Sequence, residues 1–350
     1  MNANTHLLEL QPAPHLHHKI SVSGIMYQVI FALLPVCAFS VWTYGLSALA
    51  LIATCTAACL AAELILNFAA RKASTLSDGS AAITGLLLAL TLPPGFPLWM
   101  AALGALISIA LGKALFGGLG ANIFNPALVG RAVLQASFPL AMTTWSPAML
   151  PDRFTAFVPS TLTPPFCKPP VLDAWLQALA VDGFSGATPL SLQKFDHLNT
   201  GLCQMVLGHN AGSVGESAGL LVILAGLYLV ARKIVNWRVP VAVLGSALVV
   251  SGIFYVSGAA CGSCPVFTLF SGGLLLGAFF MATDPAGSPV TPRGLWIFGA
   301  FIGALTVLIR VKGGLPEGVM YAILLGNALT PLIDRWTQPR VLGQRKVHHE

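Results

Sequence analysis

The sequence predicts an all-α polytopic membrane protein of about ten transmembrane helices, arranged as an inverted repeat of five plus five. Three observations carry that prediction. The 350 residues are 56% hydrophobic and only 9% charged, with a mean hydropathy of +0.80, whereas soluble domains are roughly a quarter charged. The apolar residues fall into two sets of five runs separated by one polar segment. The two sets also share short matches in the same order, as an internal duplication would leave them.

The chain opens with a polar segment, residues 1–24, carrying His6, His15, His17 and His18 but no apolar core of a cleavable signal. The first apolar run then acts as an uncleaved insertion signal. Residues 25–142 form the first membrane repeat, with runs at 25–44, 46–68, 80–92, 98–116 and 123–142. Residues 143–216 form a connector rich in Pro, Ser, Thr and Asp. Residues 217–334 form the second repeat, with runs at 218–231, 239–256, 265–281, 295–309 and 318–333, and 335–350 is a tail. Runs 80–92 and 218–231 are shorter than the ~20 residues of a full span, so they read as re-entrant, broken or bundle-buried segments.

Orientation follows from the basic residues. With the N-terminus inside and ten crossings, twelve Lys and Arg fall on the cytoplasmic side and five outside, Arg131 lying within a span. Both termini are then cytoplasmic and the 143–216 connector extracytoplasmic. The same scatter explains the net charge of +6 without a basic patch, and excludes nucleic-acid binding.

The matches between repeats are Thr84-Gly85-Leu86-Leu87-Leu88 with Gly272-Gly273-Leu274-Leu275-Leu276, Leu98-Trp99 with Leu295-Trp296, Lys113 with Lys312, and Asn125-Pro126-Ala127-Leu128 with Asn327-Ala328-Leu329. Five spans per repeat is an odd number, so the second repeat enters from the opposite side. Ser77-Asp78-Gly79-Ser80 and Asp284-Pro285-Ala286-Gly287-Ser288-Pro289 punctuate the helices as breaks do, or as ordinary caps at the membrane surface do.

Candidate functional residues are few. Thr188-Pro189 reads as an N-cap with proline at the first helical position, and a helix start also holds phosphate well. Cys261 and Cys264 form a C-x-x-C, open to a redox pair, half a metal site, a local disulfide or two inert thiols. Cysteines 37, 55, 59, 167, 203, 261 and 264 make an odd set, mostly in apolar segments, and no disulfide framework. Glu63 and Arg131 are costly in lipid and belong to an ion path, a cofactor contact, a pair with each other or a membrane face. Lys113 and Lys312 read as snorkelling side chains, and His197 and His209 as surface residues. No phosphate-cradling P-loop, no G-x-G-x-x-G after a strand and no cysteine quartet is present, so a Rossmann nucleotide site and a resident iron–sulfur cluster are not expected. No metal site is read from the sequence.

Asp182-Gly183-Phe184-Ser185-Gly186-Ala187-Thr188 resembles the Asp-Gly-x-Ser-Gly-Ala-Thr target of bacterial flavin transferases, which join FMN through its phosphate to the final threonine. Nearly the whole chain, including the 77–94 and 122–131 segments, is similar to the family of the D subunit of Rnf electron-transport complexes and the B subunit of the sodium-pumping NADH:quinone oxidoreductase. The resemblance implies FMN as a phosphoester on Thr188, with Asp182, Ser185, Gly186 and Ala187 forming the acceptor loop. It also implies an electron relay within an inner-membrane, ion-translocating complex that links NADH and ferredoxin. The implied partners are a second flavinylated subunit, iron–sulfur subunits, peripheral NADH- and ferredoxin-reactive subunits, membrane lipid, and a flavin transferase for maturation. Non-covalent riboflavin is a further implication that no single residue identifies. The alternative is a solute channel or transporter that uses the inverted repeat as its pathway.

Overall fold

A computed structural model describes residues 21–170, 188–195, 210–216, 219–258, 264–314 and 316–339, with the isolated positions 175, 201, 205, 206 and 208. The expectations for Asp182, Ser185, Gly186, Ala187, Cys203, Cys261, His197 and His209 fall outside those residues. Among the described residues the secondary structure is helical, with no strand.

Among the described residues, four helices are long and apolar enough to cross a membrane: Val22–Tyr44, Leu46–Ala69, Arg238–Val256 and Pro292–Lys312. Large apolar side chains such as Phe31, Ile65, Val249 and Ile253 remain exposed on them, the mark of helices solvated by lipid rather than water. Their starts are chemically explicit. Ser21 accepts from the Gly24 N–H at 3.1 Å, and Thr291 accepts from the Gly294 N–H at 3.0 Å with Pro292 as first helical residue.

The remaining spans are short or interrupted. The 80–92 run becomes the helix Ser80–Leu90, preceded by the 3-10 turn Leu76–Asp78 and by Gly79 at φ +76°, a left-handed position suited to glycine. Leu98–Ile109 continues into a π turn at Ala110–Ala114. The 123–142 run divides into Pro126–Ser137 and one turn, Pro139–Met142. In the second repeat Gly219–Ala231 is short, and the 265–281 run breaks after Pro265–Phe270 at Gly272, φ +63°. It resumes at Leu274–Leu276 and tightens into a π turn at Gly277–Met281. Val319–Thr337 closes the second repeat.

Among the described residues, helices in corresponding places of the two halves pack alike. Helix 46–69 lies against the Leu98–Ile109 helix, as helix 238–256 lies against helix 292–312. That second contact is close because Gly299 and Gly303 present bare backbone. A Cβ on Gly299 would stand 2.6 Å from Ala242 Cβ, and one on Gly303 would collide with Ser246 Oγ and the Val243 carbonyl. The repeats meet through helices 22–44 and 219–231, and through 126–137 and 319–337. At the latter seam Asn125 and Asn327 face each other. With the Asn327 amide nitrogen assigned as donor to the Gly287 and Ile323 carbonyls, its oxygen accepts from the Asn125 N–H at 3.1 Å.

The Lys113–Lys312 match needs correction. Lys312 is exposed, whereas Arg310 is buried and stands fourteen residues after Trp296, as Lys113 stands fourteen after Trp99. Lys113 does not snorkel either: it is 5% exposed and bonded inside the bundle, because an acid lies within its reach there. Gly303→Val is expected to cost at least about 1–3 kcal/mol by overpacking, seen as a lower melting temperature in detergent. Gly245→Ala, whose added Cβ meets nothing within 4 Å, is expected to leave melting unchanged.

Candidate functional site

Thr188 caps the helix Pro189–Phe195. Its Oγ1 accepts from the Ser191 N–H at 3.2 Å and lies 3.1 Å from Ser191 Oγ, while its carbonyl accepts from the Leu192 N–H at 2.9 Å. The hydroxyl-bearing residue is 2% exposed, so the cap is packed into the body and does not hang in solvent. Leu190 anchors the helix against Gly272, whose missing Cβ would stand 2.6 Å from Leu190 Cδ1 and 3.1 Å from Arg310 Nη2. Leu190, Gln193, Lys194 and Arg310 line one small pocket there. Arg310 donates to the Thr268 carbonyl at 2.7 Å and to the Ser271 carbonyl at 2.9 Å, securing the end of the interrupted helix, while its Nε carries no partner. The helix start fits a phosphoester, with the Thr188 hydroxyl and the Ser191 N–H side by side.

A second cluster joins the repeats. Arg131 does not pair with Glu63; it forms an ion pair with Glu317, from the turn between helices 292–312 and 319–337. Glu216, in the connector, lies within hydrogen-bonding reach of Glu317 and accepts from Ser213 Oγ at 2.7 Å. Burial, then the Glu317 charge, pushes the Glu216 carboxyl well above the usual carboxylate range, against the pull of Ser213 and Arg131. Burial also acts to raise Glu317, but Arg131, the Glu216 hydrogen bond and Arg310 together hold it below its ordinary value. The pair therefore reads as one carboxyl and one carboxylate sharing a proton.

The connector also completes the first interrupted helix. Val214 N–H donates to the Leu92 carbonyl at 3.0 Å and Gly215 N–H to the Leu90 carbonyl at 2.7 Å, so residues 210–216 cap the end of Ser80–Leu90 from inside the bundle. At the start of that helix, Asp78 Oδ1 accepts from Ser80 N–H at 2.8 Å and from its Oγ. Lys113 Nζ lies 2.5 Å from both Ser80 Oγ and Glu63 Oε1.

Arg310, Glu216 and Glu317 escape a reading of the sequence. Glu216 and Glu317 sit in connectors, where acids are ordinarily solvated, and only the fourteen-residue spacing from Trp296 marks Arg310. Cys264 is a free, exposed thiol. Among the described residues no group of three His, Cys, Asp or Glu side chains is placed to hold a metal ion.

Residues 9–343 match the NQR2, RnfD, RnfE family. Among curated proteins the chain is 41% identical to the D subunit of the proton-translocating ferredoxin:NAD(+) oxidoreductase complex of Clostridium ljungdahlii, over 97% of both chains. It is 39% identical to the D subunit of the Na(+)-translocating ferredoxin:NAD(+) oxidoreductase complex of Acetobacterium woodii, over 98% of both. It is also 39% identical to the D subunit of the ion-translocating oxidoreductase complex of Aeromonas salmonicida, over 97% of this chain and 100% of that one.

The cluster of Arg131, Glu317 and Glu216 makes two predictions. Because the Glu216 carboxyl is raised in the fold, the folded chain holds more protons than the unfolded one. Its contribution is full at acid pH and fades as pH rises through the folded value. Glu317 acts oppositely: its contribution is full above the ordinary carboxylate range and is lost as pH falls through its lowered value. Glu216→Gln should therefore flatten the fall of melting temperature toward alkaline pH, and a slope parallel to that of the parent would refute the assignment. Arg131→Met leaves Glu317 without its cation and should cost about 3–5 kcal/mol, measured by the same thermal unfolding at neutral pH.

Proposed function

The chain belongs to the NQR2, RnfD, RnfE family, and we propose that it is a membrane subunit of a redox-driven ion translocase that relays electrons through FMN esterified to Thr188. The observation that carries the reading is the place of Thr188: a hydroxyl at a helix start, ending the Asp182–Thr188 acceptor run. The naming of the Clostridium ljungdahlii and Acetobacterium woodii relatives as ferredoxin:NAD(+) oxidoreductase subunits supports the redox role.

The chain's own residues have defined tasks in that role. Were FMN esterified to Thr188, Ser191 would be the residue to hold the phosphate end, since its N–H donates to Thr188 Oγ1 and its hydroxyl lies 3.1 Å from it. The buried Arg310 and Lys194 line a pocket with Leu190 and Gln193 of the same helix, and Lys194 donates to the Gly313 carbonyl at 2.5 Å. Packing of Leu190 on Gly272 holds the helix to the interrupted span, so the attachment point is fixed to the membrane body. When bound, flavin supplies one-electron steps through a tether of fixed position.

The wider setting follows the same reading. The chain spans a bacterial inner membrane several times, with termini in the cytoplasm and the Thr188 segment outside, as the Lys and Arg distribution favours. It works with a second flavinylated subunit and iron–sulfur subunits, is matured by a flavin transferase, and completes no catalytic cycle alone. For non-covalent riboflavin, the cleft between the repeats is the candidate: about 790 Å³ with its mouth, walled by Leu87, Leu229 and Phe279 and edged by Asn122 and Asp284.

Co-expression with an active flavin transferase should add the mass of one FMN phosphoester to the intact chain and make its denatured gel band fluoresce. Thr188→Val should abolish both signals while costing about 0.5–2 kcal/mol through the lost cap. An unmodified parent chain beside a transferase proven active on another substrate would overturn the assignment.

A further inference from the structure

We propose that the end of the second repeat around Trp237, Arg238, Arg293 and Trp296 is a docking surface for an anionic phospholipid, its phosphate on the two guanidinium groups and its acyl chains along Val241 and Ile297. Three elements build the surface. The turn 232–237 leads into helix 238–256, helix 292–312 packs beside it, and helix 319–337 packs in turn on helix 292–312. Trp237 and Trp296 meet edge to face with ring centroids 5.8 Å apart, and the Arg238 guanidinium lies 5.6 Å from the centre of the Trp237 ring. Arg293 stands three residues before Trp296, on the same face of its helix. The Val290 N–H donates to Asp334 at 3.1 Å, and the Thr291 and Thr337 hydroxyls are hydrogen-bonded. The helix end that carries Arg335 and Trp336 is thereby fixed next to the start of helix 292–312.

The positive charge here is not used by the fold. Arg232, Lys233, Arg293 and Arg335 are exposed and Arg238 is half-buried. Among the described residues, none of these five side chains forms an ion pair or a hydrogen bond. The acids of the neighbouring segments are already engaged, Asp284 with Asn122 and the Ala286 N–H, Asp334 with the Val290 N–H. Arg153 shows the contrasting case. It also lies against aromatic rings, 5.4 Å from Trp42 and 4.8 Å from Phe154, but its guanidinium donates to the Trp42 and Leu150 carbonyls and ties the chain together. Membrane insertion requires only that cations collect on one side; it does not require them to stand against tryptophans with no carboxylate in reach.

The arrangement selects an amphiphile. One turn deeper on each helix, the same face carries an exposed aliphatic side chain: Val241 four residues after Trp237, Ile297 four after Arg293, and Leu332 four before Trp336. A free anion or the acidic face of a soluble protein would meet the cations and leave these aliphatic side chains uncovered. A phospholipid covers both. Its phosphate matches the planar fork of a guanidinium, and its acyl chains continue the lipid-facing surface of the two helices. Tryptophan rings suit the boundary between them, being apolar in body and polar at the indole N–H. Basic clusters at the ends of spans hold anionic headgroups by the same electrostatics. The inference rests on the chain's being a membrane protein, and not on which end faces the cytoplasm.

The test uses the purified full-length chain in vesicles and requires neither flavin nor partner subunits, so its failure leaves the Thr188 reading standing. Tryptophan fluorescence is titrated with brominated phosphatidylglycerol and, separately, with brominated phosphatidylcholine, each diluted into unbrominated phosphatidylcholine. The expected result is a several-fold preference for phosphatidylglycerol in quenching, which shrinks as salt is raised and is lost in the double variant Arg238→Gln/Arg293→Gln. Neither guanidinium has a partner to strand, so that variant should keep the parental melting temperature. Trp237→Phe/Trp296→Phe should lose the part of the emission that phosphatidylglycerol quenches selectively, and serves if the arginine variant does not fold. Equal quenching by the two lipids in the parent chain, the outcome expected if the cations serve an acidic protein partner instead, overturns the proposal. A preference unchanged in the folded variants overturns it as well.

Discussion

Interrupted helices in an apolar body leave backbone groups that lipid cannot satisfy, and the rest of the structure is arranged around supplying their partners. In the first repeat, the Leu90 and Leu92 carbonyls are met by the N–H groups of Gly215 and Val214. In the second, the Thr268 and Ser271 carbonyls are met by the guanidinium of Arg310. One break is closed by main chain folded in from the connector, the other by a side chain. The connector is therefore part of the membrane body at residues 210–216, although its composition is that of an aqueous loop.

Charge follows the same logic of placement. Lys113 and Arg310 occupy equivalent positions and each secures a break, Lys113 through the Ser80 hydroxyl and Arg310 through carbonyls. Arg131 and Glu317 connect the repeats across their seam, with Glu216 beside them, its carboxyl raised by burial and by the Glu317 charge. Such pairs are costly to desolvate, and their contribution to net stability is modest, whereas removing one partner strands an uncompensated buried charge. The Gly299 and Gly303 contact works alongside by close packing, since apolar side chains gain little by leaving lipid for protein.

The Thr188 helix is bound into this frame rather than appended to it. Leu190 rests on Gly272, at the point where the second interrupted helix turns, and Arg310 touches the same glycine. A tether at that position is held to an element of the membrane body, and a change in the break would be felt at the helix start. The cap interpretation and the flavin interpretation of Thr188 use the same atoms, because a helix start that satisfies a hydroxyl also satisfies a phosphate.

The helical membrane class, the two sets of apolar runs and the Asp182–Thr188 run are all legible in the order of residues alone. Hydropathy, glycine and proline punctuation and spacing are properties of neighbouring residues, and lipid solvation leaves little for distant contacts to override. The break at Asp78–Ser80 is legible for the same reason, since its cap chemistry is local. The pairings are not. On cost alone Glu63 and Arg131 are plausible partners for each other, yet Glu63 meets Lys113 and Arg131 meets Glu317, 50 and 186 residues away. Whether an acid in a connector is solvated or buried, and whether a lysine snorkels or turns inward, depends on what other segments place beside it. That information is distributed over residues far apart in the chain, and it becomes definite only when the two repeats close on each other.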